Sequence, residues 1–178
     1  MSKTKQQNHI RLTTVAVLTA AAVVIDCVFS TVMPNIKIGA TFIPVLICGM
    51  LYGTFWGGVC YGMTDFLSAN ILPKGGAYNP VFTLTAFLIG LCFGLIGYCS
   101  KKIKNHLLFS FLAVIIIIFK ELVLSLLLNT FWLHHFYGSN FSAIFISRLP
   151  VSAITVVLES FLAIIARLFI LPRIKKSL

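Results

Sequence analysis

Asn129 and Trp132 stand three residues apart and share a face if a helix runs through them. Tyr137 follows, and then Arg148, just before Leu149 and Pro150. An indole and a phenol can stack on a flat ring, a carboxamide offers both a donor and an acceptor, and a guanidinium binds a carboxylate bidentately. The chemistry on offer is recognition of a small, flat, partly anionic molecule. Lys74, Tyr78, Asn79 and Phe82 are expected at the same level from across the protein. Asp65 belongs toward the same end of its helix, where it could accept from an amino-substituted ring or from a neighbouring loop. An aromatic belt at a membrane interface accounts equally well for Trp132, Tyr137 and Tyr78. It accounts less well for Asn129, Asn79 and Arg148.

The elements that must position these residues follow from composition. The chain has 178 residues, 59% hydrophobic and only 10% charged, with a mean hydropathy of +1.01. A soluble domain carries about 25% charged residues; this chain cannot cover a water-facing surface and reads as an all-α membrane protein of one domain, residues 1–178. A span needs about 20 apolar residues. Six helices are expected, over residues 12–33, 40–52, 54–72, 79–99, 106–130 and 142–171. The stretch 132–140 then reads as a polar-aromatic loop, and Arg148 as opening the sixth helix.

The net charge of +10 does not indicate nucleic acid. Lys3, Lys5 and Arg11 precede the first apolar run, Lys101, Lys102 and Lys104 separate two runs, and Arg173, Lys175 and Lys176 follow the last. Basic flanks in short loops mark the cytoplasmic side, and an even number of helices puts both termini there. Cys27, Cys48, Cys60, Cys92 and Cys99 form no C-x-x-C pair, so neither a metal site nor a disulfide framework is indicated.

Asp26, Asp65, Lys120, Glu121, Glu159 and Arg167 fall within or near the ends of spans. A charge at the bilayer centre costs about 3 kcal/mol or more, so each should face the interior and find a partner. Lys120 and Glu121 are adjacent and point in different directions on a helix, which favours Asp26 or Glu159 as the partner of Lys120. Small residues four apart permit close helix contact. They occur as Gly49, Gly53 and Gly57, as Gly90 and Gly94, and as Ala16 and Ala20; each set serves internal packing or, for Ala16 and Ala20, a partner protein.

These residues carry a resemblance. A-x-x-x-A on the first helix, Asp65-Phe66-Leu67, the run from Tyr78-Asn79-Pro80 through Phe82 to Phe87, and Leu128-Asn129-Thr130 with Trp132-Leu133, Tyr137 and Arg148-Leu149-Pro150 together resemble the substrate-binding S component of an energy-coupling factor transporter, in its folate-specific branch. The resemblance implies a prokaryotic cell-membrane importer subunit that captures folate outside. It also implies partners: a transmembrane coupling protein, docked through Ala16 and Ala20, and two ATP-hydrolysing subunits. No phosphate-binding G-x-x-x-x-G-K-[ST] loop is present, so ATP and magnesium belong to those subunits, and neither a cofactor nor a catalytic residue is expected in this chain. By the same resemblance Asp65, Asn79 and Asn129 could pair with pterin edges, Trp132, Tyr137, Phe82 and Tyr78 could stack, and Arg148 with Lys74 could bind the carboxylates; Arg148 could instead meet the pterin carbonyl.

An S component for another vitamin is the alternative within this resemblance, and two other classes compete. An intramembrane enzyme would use Asp26, Glu121 or Glu159, but these acids are scattered rather than clustered. A small channel or structural subunit would conduct ions or bind no ligand. A bound soluble vitamin separates the first reading from both.

Overall fold

The computed structural model describes residues 3–32, 40–72 and 78–170. Six helices account for nearly all of them, and no strand occurs among the described residues. They are α1 (Lys3–Val32), α2 (Phe42–Tyr52), α3 (Thr54–Ile71), α4 (Pro80–Lys102), α5 (His106–Tyr137) and α6 (Phe141–Ile165, wound on as a π-helical turn over Ala166–Ile170). α1, α4, α5 and α6 are long and apolar enough to cross a membrane. α2, at 11 residues, is about 16 Å long, roughly half a hydrocarbon core. α3 is long enough, and packs among α1, α2 and α4.

Local chemistry sets the boundaries. Asn79 caps α4, its Oδ1 accepting from Val81 N at 3.1 Å, with Pro80 in the first turn where no N–H is needed. Asn105 caps α5 and Asn140 caps α6 in the same way. Two expectations are corrected here. Most of the stretch 132–140 is not a loop: residues 132–137 continue the helix, and only 138–140 connect it to the next, because no breaker interrupts the chain until Gly138, whose φ of +62° ends α5 in the left-handed region that glycine alone adopts freely. Arg148 does not open the sixth helix; the Asn140 cap starts α6 at Phe141 and leaves Arg148 two turns inside, with Pro150 also within the helix.

Helices in lipid gain little from apolar burial against one another, so close packing has to hold them. Glycines provide it internally. A Cβ on Gly49 would lie 2.8 Å from Gly94 Cα, and one on Gly57 would lie 2.7 Å from the Gly90 carbonyl oxygen. The glycine series thus joins α2 and α3 to α4. Around these contacts Val45, Met50, Phe93, Ile96, Phe109 and Ile117 form the core.

Lys120, Glu121 and Glu159 partner one another, though not as adjacency suggests. Lys120 Nζ lies 2.7 Å from Glu121 Oε2 and donates to Glu159 Oε1 at 2.8 Å. The Lys120 pairing with Asp26 or Glu159 is thereby settled as Glu159, with Glu121 added. The four-carbon lysine arm folds back between the two carboxylates. These residues are 3%, 5% and 4% exposed, and no water competes at this depth. Both Lys120 and Glu121 lie in a π-helical segment, Lys120–Leu128, within α5. At the end carrying the basic loop, Arg167 donates to the carbonyls of Ile103 and Lys104 and covers the Phe109 ring.

Candidate ligand-binding site

α3 and α4 run antiparallel, which brings Asp65 beside the first turns of α4. There Thr83 Oγ1 donates to Asp65 Oδ2 at 2.9 Å, and the Tyr78 hydroxyl lies 2.9 Å from Thr83 Oγ1. Thr83 has one proton and gives it to the carboxylate, so Tyr78 is the donor in the second bond. The Tyr78 ring meets Phe66 edge-on at 5.4 Å. On the next residue the Phe82 ring stands 6.4 Å from that of Tyr137, tying the start of α4 to the end of α5. Tyr61 lies one turn before Asp65 and packs against the core, and it is within electrostatic reach of Asp26, Asp65, Glu121 and Glu159. The Asp65 face of α3 therefore looks into the bundle.

α5 and α6 are also antiparallel, levelled by the Lys120–Glu159 pair. A π-helical segment rises less than the roughly 1.5 Å per residue of an α-helix, so Asn129 lies less than about 14 Å, and Arg148 about 17 Å, from that pair toward the same end. Their polar groups lack protein partners. No hydrogen bond or ion pair reaches the Asn129 carboxamide or the half-buried Arg148 guanidinium among the described residues. Trp132 Nε1 is buried with no acceptor, and Thr130, fully enclosed, has an unpartnered hydroxyl. Leaving a buried donor unmet costs about 1–3 kcal/mol; such unpartnered buried atoms occur also at Thr41, Ser100 and Ser160.

The expected site residues divide accordingly. Asp65, Tyr78, Phe82 and Tyr137 adjoin through the α3–α4 and α4–α5 contacts; Asn129, Trp132 and Arg148 share a level on α5 and α6. Trp132 is flanked by Phe131 and Phe136 of its own helix. Asn79 has a second duty, since its carbonyl oxygen caps α4 and only its amide donors remain. Lys74 lies outside the described residues. Thr83 adjoins this group although it is not among the expected site residues. Thr83 stands inside the Phe82–Phe87 run, but its role depends on Asp65, 18 residues away. Among the described residues no three His, Cys, Asp or Glu side chains could hold a metal ion.

A helical membrane bundle with unpartnered recognition groups at one end is a multi-pass membrane binding protein. Residues 10–167 match the family described as ECF transporter, substrate-specific component, and the chain belongs to that family, one of transport components rather than enzymes. More particular likenesses lie within it. The folate transporter FolT of Clostridium novyi (strain NT) is 38% identical over 121 residues, a stretch spanning 68% of this chain and 66% of that relative. The crystal structure of FolT bound with folic acid matches with a TM-score of 0.71 at 28% identity, covering 85% of this chain and 89% of that one. The six-helix architecture is thus that of an ECF S component.

Proposed function

We propose that this chain is the folate-capturing S component of an energy-coupling factor importer. One observation carries the reading: Asn129, Trp132 and Arg148 present unpartnered polar groups at one level of α5 and α6. The relatives named for folate supply the ligand class. In this reading Asp65 and Asn129 pair with the pterin edge, and Trp132, Tyr137, Phe82 and Tyr78 enclose the rings. Arg148, with Lys74 and the amide donors of Asn79, receives the carboxylates. Nanomolar capture requires about 12 kcal/mol, which a stacked, charge-paired ligand can supply.

ATP with magnesium is bound by two partner ATPase subunits, and a transmembrane coupling protein joins them to this chain. Ala16 and Ala20 are exposed on α1, unlike the buried glycines, and that open small-residue face suits a partner helix. The basic flanks support cytoplasmic termini, with the Asp65–Arg148 end outward.

Titration of the purified protein in detergent with folic acid, with thiamine and riboflavin as controls, tests the reading. Selective nanomolar folate binding is the expected result. Tight binding of another vitamin overturns the substrate while keeping the family, and folded protein that binds none of the three removes the reading.

A further inference from the structure

The Lys120 cluster does not balance its charge. Glu121 and Glu159 are the chain's only glutamates, and both close on one ammonium. Lys120 Nζ donates to Glu121 Oε2 at 2.7 Å and to Glu159 Oε1 at 2.8 Å, with Glu159 Oε2 also 2.7 Å away. All three residues are buried. Two carboxylates against one ammonium leave a surplus negative charge inside an apolar bundle, where an uncompensated charge is strongly disfavoured. The groups that face the cluster do not supply the missing positive charge. α1 and α3 bring acids: Tyr61 of α3 lies within electrostatic reach of Asp26 and Asp65 as well as of Glu121 and Glu159, the chain's four acidic residues. α2 carries no charged residue, and α4 presents Cys92 and the Phe93 ring. On α6, Arg148 is within electrostatic reach of Glu121 but forms no ion pair with it among the described residues. Arg167, about two turns beyond Glu159, is committed to the Ile103 and Lys104 carbonyls.

We propose that Lys120, Glu121 and Glu159 form a proton-binding site, in which one proton from solvent is shared by the two glutamates across the lysine ammonium. The proton bonds to a carboxylate oxygen and turns one of the two carboxylates into a carboxylic acid. The other carboxylate then pairs with the ammonium, and the cluster is neutral. Two carboxylates confined to one buried site do not both ionise, and they titrate as a pair rather than as separate residues. The proposal goes beyond the folate reading and does not rest on it.

Infrared spectroscopy of the full-length protein in detergent at neutral pH tests this. A protonated carboxylic acid has a carbonyl-stretch band resolved from those of carboxylates. Glutamate carrying a heavy carbon isotope at its side-chain carboxyl shifts that band only if a glutamate holds the proton. With only two glutamates in the chain, the label reads this cluster alone. Folded wild type should show one protonated glutamate per chain. Glu121→Gln and Glu159→Gln each leave a single carboxylate facing the ammonium, and each should show none. Lys120→Met removes the cation and should show two. A labelled acid band missing from folded wild type overturns the proposal, because an ion-pair network with a purely structural role keeps both carboxylates ionised. A band that survives either glutamine variant overturns it too, as does a count that fails to rise in folded Lys120→Met. The glutamine variants remove surplus charge rather than add it, so they decide the matter even where Lys120→Met does not fold.

Discussion

At the residue scale, the site is defined by groups that lack partners. Arg148 has the largest share in the proposed site, because its guanidinium has no hydrogen-bond or ion-pair partner among the described residues. Replacing Arg148 with Ala should weaken folate binding by about 100-fold, the worth of a charge-assisted bidentate pair, as read by calorimetric titration. Arg148→Lys should recover part of this, since a point charge lacks the fork. Trp132 yields a second prediction. The chain has two tryptophans, and Trp56 sits against Arg11, 5.0 Å from its guanidinium, at the other end of α3 from Asp65. Quenching of intrinsic fluorescence by folate should therefore survive Trp56→Phe and vanish in Trp132→Phe. Persistence in Trp132→Phe would place the ligand elsewhere.

At the element scale, α5 joins the charged triad to the site. Lys120 bridges two buried carboxylates at distances of 2.7 and 2.8 Å, with its ammonium also 5.2 Å from the Phe93 ring. Lys120→Met should cost about 3–5 kcal/mol, the penalty of leaving buried charge unpaired. The triple variant that adds Glu121→Gln and Glu159→Gln should recover most of it, as read by thermal unfolding in detergent. The glycine contacts make a parallel prediction. Gly57→Val has no room against the Gly90 carbonyl and should cost about 1–3 kcal/mol through overpacking. Gly138→Ala meets no neighbour; its cost of about 1–2 kcal/mol comes from the left-handed backbone alone.

At the scale of the whole molecule, the proposed binding face and the proposed docking face can be tested apart. Ala16→Leu with Ala20→Leu should leave folate affinity unchanged while preventing assembly with the coupling subunits, measured by co-purification and uptake in reconstituted vesicles. The sequence by itself determined the class of molecule. Composition forces a membrane solvent, apolar length sets the long spans, and the basic flanks suggest orientation, because each of these depends on summed transfer energies that ignore the partner of any residue. The candidate recognition residues also come from the sequence: Asn129, Trp132 and Arg148 are polar or amphipathic groups inside apolar runs, where they are costly without a purpose. What only the tertiary structure decided were the pairings. Lys120 reaching back to Glu121, Thr83 restraining Asp65, Asn79 capping α4 and the glycines closing α2 and α3 onto α4 all depend on which helix faces which. Hydrogen bonds and close packing act over a few ångströms across residues far apart in the chain, and periodicity along one helix carries no record of the neighbour it meets.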